Sequence, residues 1–372
     1  MSLGVRSGLN LVIFGLSVSS SWGNGHAALW RGLINALLAA GHRVTFFEKD
    51  VPYYAENRDL DTLPEGGTLV LYRDWVEALP QMRRALAGAD VGMVTSYCPD
   101  AAAATALVND ARPGLTCFYD LDTPVTLARL DAGEAVDYVG DGLSAFDLVL
   151  SYTGGPALDA LRTRLGARRV APLYGSVDPD LHRPAASRPE YQALLSYIGT
   201  FARDRQAAVE RFFVEPSRRL PGERFVLAGA QYPADFPWTP NTFFVRHLPP
   251  PEHPAFYSSS RLTLNVTRDA MARMGWCPSG RLFEAASCGV PILTDNWPGL
   301  DHFFAPETEI LVADTTADAM DALRLPQDHL AAIARRARER TLDEHSAARR
   351  AATMIAAFEA ATSRALPEMW GA

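Results

Sequence analysis

The start of the chain alternates an apolar strand, a glycine-bearing loop, a helix and a second strand. Residues 9–17 form the first apolar strand, residues 27–40 have helical periodicity closed by Gly41, and residues 42–48 are the next predicted strand. This order is typical of the opening of a doubly wound parallel sheet. Ligands of such sheets bind beyond the carboxyl ends of the strands. The sequence therefore predicts an α/β fold with a site after the first strand.

The alternation continues to residue 174 and resumes after a stretch, residues 177–189, that is rich in proline and polar residues. We interpret that stretch as a linker. Further strands are predicted at residues 68–72, 90–96, 115–119, 146–151, 170–174, 194–200, 224–228, 242–246, 262–266, 291–294 and 309–312. Helices are predicted at residues 76–87, 101–110, 125–131, 156–165, 205–213, 254–258, 279–288, 299–304 and 317–325. Residues 327–365 are typical of two long helices rich in Ala and Arg.

The chain has 372 residues, which is more than a single hydrophobic core usually serves, so more than one domain is expected. We expect a first domain at residues 1–180, a second at 190–345, and a final helical segment at 346–372.

Composition narrows the class of function. A hydrophobic content of 48% with 21% charged residues is that of a globular protein. The net charge of -8 argues against a general nucleic-acid or anionic-membrane surface. No apolar run approaches the roughly 20 residues of a membrane span, and the 4 cysteines lack metal-ligand spacing. We expect a cytoplasmic protein without a transmembrane segment, and the oligomeric state stays open.

The most informative stretch is residues 280–304. The helix predicted at 279–288 ends at Gly289, a residue type that accepts the left-handed conformation of a helix C-terminus. Within it Glu284 stands among apolar residues, where a carboxylate is costly unless it meets a polar partner. The sequence therefore predicts a partner for Glu284.

Glu284, Ser287, Cys288, Gly289 and Pro291 resemble the donor-nucleotide motif of GT-B glycosyltransferases, in the family 4 and CgeB-like branch. The resemblance implies two Rossmann-like, doubly wound domains that face a central cleft, with a C-terminal helix crossing back to the N-terminal domain. It also implies that Glu284 binds the ribose hydroxyls of a nucleotide sugar. A pairing of Glu284 with an arginine, such as the one three residues earlier on the same helix face, is the alternative.

Trp276 departs from the family pattern. It stands eight residues before Glu284, where family 4 members carry a first glutamate that is associated with retaining chemistry. The resemblance therefore supports donor binding better than a stereochemical outcome. Retention is slightly favoured by family, and inversion stays open.

Arg205 matches the position of a phosphate-binding lysine in the family 4 segment that follows the first strand of the second domain. Gly199 and Thr200 precede it, Thr200 in place of an arginine of the family. A guanidinium gives a phosphate bidentate contacts. A solvated charge at a helix start is the alternative.

Arg281 is a second candidate for the diphosphate, together with the backbone N–H groups of Ser279 and Gly280 at the helix N-terminus. It is alternatively a surface arginine. By resemblance, His247 and Leu248 belong to the rim that binds the nucleobase.

His26 is the candidate base, because GT-B enzymes that invert use a histidine after the first strand and imidazole titrates near neutral pH. It is alternatively a substrate-binding or capping histidine. Asp122, at the end of a buried strand, is the second catalytic candidate. It is equally placed to cap the helix that begins at Pro124.

Gly23 and Gly25 are candidates for acceptor binding, because glycine lets the backbone approach a phosphate or sugar closely. A sharp turn explains them equally well. Trp297 is a candidate for stacking on a sugar, with a place in the core as its alternative.

The resemblance implies a glycosyltransferase that moves a sugar from a nucleotide diphosphate sugar to a small-molecule, glycan or glycolipid acceptor. No paired-acid metal motif stands out, so we expect metal-independent transfer without a further cofactor. A nucleotide-sugar epimerase of the same fold and a non-catalytic nucleotide-sugar-binding protein are the alternatives. The missing GxGxxG pattern disfavours a nicotinamide oxidoreductase.

Overall fold

The computed structural model describes residues 8–23 and 25–363. The end of the predicted final segment, residues 364–372, lies outside the described residues. The chain divides into two compact units. One runs to Tyr174 and resumes at Ala347, and the other is Gly175–Ser346.

The first unit is built on a 7-stranded sheet in the order β3-β2-β1-β4-β5-β6-β7. All neighbouring strands are parallel. The strands are β1 (Asn10–Gly15), β2 (Arg43–Lys49), β3 (Gly67–Tyr72), β4 (Val91–Thr95), β5 (Leu115–Asp120), β6 (Leu148–Ser151) and β7 (Val170–Pro172). The helices are α1 (Gly25–Ala39), α2 (Pro52–Ala55), α3 (Trp75–Ala87), α4 (Ala101–Ala111), α5 (Thr123–Asp131) and α6 (Pro156–Leu165).

The second unit repeats this order in a 6-stranded parallel sheet, β10-β9-β8-β11-β12-β13. The strands are β8 (Ala193–Ile198), β9 (Phe225–Gly229), β10 (Thr242–Arg246), β11 (Ser260–Asn265), β12 (Ile292–Asp295) and β13 (Leu311–Ala313). The helices are α7 (Arg203–Val209), α8 (Glu215–Arg219), α9 (His253–Ser258), α10 (Asp269–Met274), α11 (Gly280–Ser287), α12 (Thr316–Arg324) and α13 (Gln327–Glu344). A π-helical turn, Glu210–Val214, joins α7 to α8.

The last described helix, α14 (Ala347–Thr362), belongs to the first unit and packs on α1. Its residues Met354 and Phe358 are fully buried in the same cluster as Trp30 and Leu33 of α1. Burial of a side chain of this size contributes about 1.5–3 kcal/mol. The C-terminal helix therefore crosses back to the N-terminal sheet.

Both sheets have the strand order of a doubly wound fold, which confirms the predicted α/β architecture. β4 and β5 are buried along their whole length, because helices cover both faces of the sheet. The order reverses between β1 and β4 and again between β8 and β11. Such switch points create a crevice at the carboxyl ends of the strands. No described helix is long and apolar enough to cross a membrane.

The structure differs from the predicted elements in short segments. The helix predicted at residues 299–304 is a single 3₁₀ turn, Leu300–His302. The helices α2 and α10 were not predicted, because four and six residues carry too little periodicity.

Candidate functional site

Two arginines converge beyond the carboxyl end of β8. Arg205 lies in the first turn of α7, and its Nη2 donates to the carbonyl oxygen of Thr200 at 2.6 Å. Arg281 lies in the first turn of α11, and its Nη1 donates to the carbonyl oxygen of Ile198 at 2.8 Å. The main chain that follows one strand thus holds both guanidinium groups.

The two arginines carry charge that no carboxylate of the described residues neutralises in an ion pair. Among residues 8–23 and 25–363, neither Arg205 nor Arg281 forms an ion pair with a carboxylate. Arg205 is only 8% exposed, and its Nε is buried with no hydrogen-bond partner in the described chain. Burial, with the charge of Arg281 as a further cause, lowers the pKa of Arg205. Buried positive charge of this kind is relieved by an anion.

Gly199 permits this arrangement. A Cβ atom at Gly199 would lie 2.5 Å from Nη1 of Arg281, so a side chain there would displace the guanidinium. The Tyr232 hydroxyl donates to the Gly199 carbonyl oxygen at 3.0 Å. Gly199 and Thr200 were both predicted to bind the donor. In the structure the Thr200 carbonyl oxygen accepts a hydrogen bond from Arg205, and the missing side chain of Gly199 leaves room for the Arg281 guanidinium.

The N-terminus of α11 begins beside Arg281. Ser279 is the N-cap residue and Gly280 the first helical residue. The Ser279 Oγ accepts a hydrogen bond from Arg281 Nε at 3.1 Å and makes no capping bond to the helix. Backbone N–H groups and the helix dipole add to the positive potential here.

Glu284 lies further along α11, facing two histidines. Its Oε2 is 3.7 Å from Nδ1 of His253, and both side chains are 14% exposed. With His182 they form a group whose ligand atoms lie within 4.8 Å of one another. Burial raises the pKa of Glu284, but His182, His253 and Arg281 lower it more, to about 2. The predicted polar partner is therefore a pair of histidines, and no ion pair joins Glu284 to Arg281 in the described chain.

The predicted base-binding rim borders this group. The His247 backbone is in the left-handed region, with φ 51, and its N–H donates to the Gly229 carbonyl oxygen at 2.9 Å. The Leu248 carbonyl oxygen lies 3.2 Å from Nε2 of His253. The rim and Glu284 are thus connected through one imidazole.

The two predicted catalytic residues meet in the first unit. His26 is in the first turn of α1, and its Nε2 lies 3.6 Å from Oδ2 of Asp122. The Tyr97 hydroxyl donates to the same Asp122 oxygen at 3.0 Å. Asp122 is the N-cap residue of α5 but makes no side-chain capping bond, so the capping alternative is wrong.

Asp120 is buried behind this pair. It is 0% exposed, and its Oδ1 accepts from the Asp122 N–H at 3.1 Å and the Thr126 hydroxyl at 3.2 Å. Its Oδ2 is buried without a hydrogen-bond partner among the described residues. Burial raises the pKa of Asp120 to about 6.

The loop between β1 and α1 is held by the buried carboxylate of Glu48, at the end of β2. This carboxylate accepts hydrogen bonds from the Ser17 hydroxyl, the Val18 N–H, and the N–H and hydroxyl of Ser19. Gly23, with φ 59, and Gly25, the first residue of α1, are both exposed. The hydrogen bonds to the Glu48 carboxylate therefore hold the start of the loop that leads to His26.

Trp297 lies in the apolar interior. It is 4% exposed, and its ring centroid is 5.9 Å from that of Phe303. A ring buried in this way leaves little face for a sugar, so the core alternative describes Trp297 and the stacking prediction does not. Trp276 is partly exposed, with a left-handed backbone of φ 44 and its ring against Gly299.

His182, His253 and Tyr97 were not predicted as site residues. His182 falls in the stretch interpreted as a linker, and it is 3% exposed. His253 precedes a proline at a helix start. No spacing in the sequence relates these positions to Glu284 or Asp122, because their contacts depend on the tertiary fold.

The sequence was compared with family models and with curated protein sequences. Residues 204–356 match the family model described as "Glycosyl transferase-like". No curated protein sequence matches the chain significantly.

Several solved structures resemble the chain in fold. Sucrose-phosphate synthase from Thermosynechococcus elongatus aligns with a TM-score of 0.65 at 15% identity, over 93% of this chain and 98% of that one. The catalytic domain of starch synthase IV from Arabidopsis thaliana, bound to ADP and acarbose, gives a TM-score of 0.65 at 12% identity, over 96% and 100%. HepE from Anabaena, in complex with UDP-glucose, gives 0.63 at 11% identity, over 93% and 99%.

At these identities the structural likeness is one of fold, and the family match places the glycosyl transferase-like sequence in the unit that carries Arg205, Arg281 and Glu284. The chain thus has the GT-B fold, and its residues 204–356 match the glycosyl transferase-like family model.

Proposed function

We propose that this protein transfers a glycosyl group from a nucleotide diphosphate sugar to a hydroxyl of an acceptor. The second unit binds the donor and the first binds the acceptor. The observation that carries the proposal is the pair of arginines, Arg205 and Arg281, which converge beyond β8 without an acidic partner among the described residues.

The arginines suit the diphosphate because it is the leaving group of such a transfer. Negative charge builds up on it as the sugar departs, and fixed donors in a partly dry site stabilise that charge. Arg205, Arg281 and the N–H groups of Ser279 and Gly280 supply those donors. We propose that they perform this role without a metal ion on the diphosphate.

Glu284 and the rim at His247 and Leu248 are assigned to the nucleoside. The carboxylate is held ionised by its low pKa of about 2 and so accepts hydrogen bonds from the ribose hydroxyls. ADP in starch synthase IV and UDP-glucose in HepE are ligands of proteins with this fold, which supports a nucleoside diphosphate here.

His26 is assigned as the base that accepts the proton of the acceptor hydroxyl. Asp122 orients the imidazole and stabilises its charged form, as its Oδ2 lies 3.6 Å from His26 Nε2. Gly23 and Gly25, in the adjoining loop, border the acceptor. The resemblance to family 4 favours retention, whereas this His–Asp pair supplies the base that inversion needs.

The acceptor is a small molecule, a glycan or a glycolipid headgroup. We place the reaction in the cytoplasm, because all 4 cysteines are buried and free, as suits a reducing compartment.

The test is turnover of nucleotide sugars with and without acceptors. We expect nucleoside diphosphate release that depends on an acceptor and is lost in Arg205→Ala. NMR of the product anomeric proton then distinguishes retention from inversion. Conversion of the nucleotide sugar alone into a stereoisomer would contradict transfer, as would tight donor binding with no turnover across a broad acceptor panel.

A further inference from the structure

Three residues from separate parts of the second unit bring metal-ligating atoms together. His182 lies between β7 and β8, His253 begins α9, and Glu284 is in the middle of α11. Their ligand atoms lie within 4.8 Å of one another. His182 is 3% exposed, and the other two side chains are 14% exposed. This group, here called the His–His–Glu cluster, is therefore largely shielded from solvent.

The hydrogen bonding of His253 leaves a lone pair directed at a carboxylate. Its Nε2 lies 3.2 Å from the Leu248 carbonyl oxygen, which only accepts, so Nε2 carries the hydrogen. In a neutral ring Nδ1 then bears a lone pair, and it faces Glu284 Oε2 at 3.7 Å. Two acceptor atoms in this arrangement repel each other unless a cation lies between them.

His182 adds a second imidazole that lacks a partner. Both of its ring nitrogens are buried and have no hydrogen-bond partner among the described residues. Its ring centroid is 5.8 Å from that of His253. Protonation of His253 alone would satisfy the contact with Glu284 but would leave both nitrogens of His182 unsatisfied, at a cost in stability. A metal ion would contact all three groups at once and would bind one of the two His182 ring nitrogens.

We propose that the His–His–Glu cluster binds a divalent transition-metal ion of the Zn²⁺ type. The ligands are Nδ1 of His253, one ring nitrogen of His182 and the carboxylate of Glu284, and water takes the fourth position. Two imidazoles and one carboxylate form a donor set that zinc accepts in tetrahedral sites. The His253–Leu248 hydrogen bond is the kind of outer contact that fixes the tautomer of a ligating histidine.

The surrounding chain holds the ligands in place. The Ser287 hydroxyl, on α11, donates to the His182 carbonyl oxygen at 2.5 Å, and the His182 N–H donates to the Asp178 carbonyl oxygen at 2.8 Å. The metal would therefore connect the segment before β8 to α9 and α11. It leaves a second carboxylate oxygen of Glu284 for a ribose hydroxyl. This site goes beyond the proposed transfer, because metal binding here needs no nucleotide.

The experiment uses the full chain without a purification tag, stripped with a chelator, loaded with Zn²⁺ and dialysed. Elemental mass spectrometry is expected to find about one zinc per chain, and Co²⁺ substitution is expected to give the visible absorption of a tetrahedral ion. His182→Gln and His253→Gln should each weaken zinc binding at least ~10–100-fold, the loss seen even for outer-sphere substitutions. His329→Gln, at an exposed histidine of α13, is the matched control and should keep the zinc.

A second measurement needs no variant. Zn²⁺ added to the stripped wild-type chain should raise its melting temperature, since a ligand that binds only the folded state stabilises it. The proposal is overturned if the wild-type chain retains no zinc and shows no such rise, or if the double variant His182→Gln/His253→Gln binds zinc as the wild type does. Two N–H resonances on His253 in the presence of Zn²⁺ would also overturn it, because a proton would then occupy the metal position.

Failure of the metal site and of the proposed function give different results. If the chain binds nucleotides in the presence of chelator and binds no zinc, only the proposed metal site is contradicted. If the chain binds zinc but does not respond to any nucleotide, only the proposed donor site is contradicted.

Discussion

The carboxyl ends of β4 and β5 in the first unit lead to Tyr97, Asp120 and Asp122, whereas β8 in the second unit leads to Arg205. The two sheets share one strand order, in which β8 takes the position of β1, so the carboxylates and the arginine follow strands at different positions of that order. In the first unit His26 lies beside Asp122. In the second unit the charge of Arg281 acts on Arg205, and His253 lies beside Glu284. Under the proposed function, this difference assigns proton transfer to the first unit and binding of the diphosphate to the second.

The two buried carboxylates show the same contrast. Burial raises the pKa of Asp120 to about 6, while His182, His253 and Arg281 bring that of Glu284 down to about 2. Burial acts in the same direction on both carboxyl groups, so the opposite sign at Glu284 comes from its neighbours.

The largest effect is expected from His26→Ala, which removes the base from the first unit. The maximal rate should fall about 10²–10⁴-fold, the usual contribution of a positioned base. Donor affinity should stay unchanged, because the proposed donor site is built from residues of the other unit. Steady-state kinetics at saturating donor and calorimetry of donor binding measure the two quantities. Wild-type turnover in a folded His26→Ala variant would remove His26 from the mechanism.

Opposite pH dependences are expected from the two carboxyl groups. Asp120 has a folded pKa of about 6 against an ordinary 3.8, so the folded state binds the proton more tightly and stability falls as pH rises between these values. Glu284 has a folded pKa of about 2 against 4.5, so its contribution is present above pH 4.5 and is lost as pH falls toward 2. Each contribution is on the order of 3 kcal/mol, at 1.36 kcal/mol per pKa unit.

Chemical denaturation across pH, comparing Asp120→Asn and Glu284→Gln with the wild type, measures these slopes. Asp120→Asn should remove the decline between pH 4 and 6, and Glu284→Gln the loss below pH 4.5. If the two substitutions removed pH dependences of stability that have the same sign, the contrast between Asp120 and Glu284 would be wrong.

Arg205→Ala is expected to weaken binding of a nucleoside diphosphate by about 1.5–3 kcal/mol, the range for hydrogen bonds to charged groups. Affinity for the free nucleoside should change little, because the guanidinium meets only the diphosphate. Arg203→Ala is the matched control, since Arg203 is exposed on the same helix two residues earlier. Equal losses for nucleoside and diphosphate would contradict a phosphate role.

Glu284→Ala should cost about 1–3 kcal/mol in nucleotide affinity if the carboxylate pairs the ribose hydroxyls. The wild type should also prefer a ribonucleotide to its 2′-deoxy analogue, and the variant should lose that preference. A preference that survives in Glu284→Ala would place the ribose elsewhere.

Much of the fold follows from local patterns. Every strand was predicted within a few residues, because each is a short apolar run between turn signals. The π-helical turn Glu210–Val214 and the short helices were missed, since local periodicity does not specify them.

The site was predicted only in part. Arg205 and Glu284 stood out through motif resemblance. Arg281 stood out through its place in the first turn of a helix, and His26 and Asp122 through their places after strands. The convergence of His182 and His253 on Glu284 was not predicted, because residues 71 and 31 positions apart in the chain, from 182 to 253 and from 253 to 284, meet only through packing. Prolines around His182 indicate a linker and do not reveal that its ring turns inward.

The central claim is that the arginines of the second unit bind the diphosphate of a nucleotide donor. Its most direct test is a thermal-shift comparison of the wild type and Arg205→Ala with UDP, GDP, TDP, ADP and CMP. The account predicts a selective shift of several degrees with one nucleoside diphosphate, and its loss in Arg205→Ala. No shift of the wild type with any nucleotide, or an undiminished shift in the variant, would contradict it.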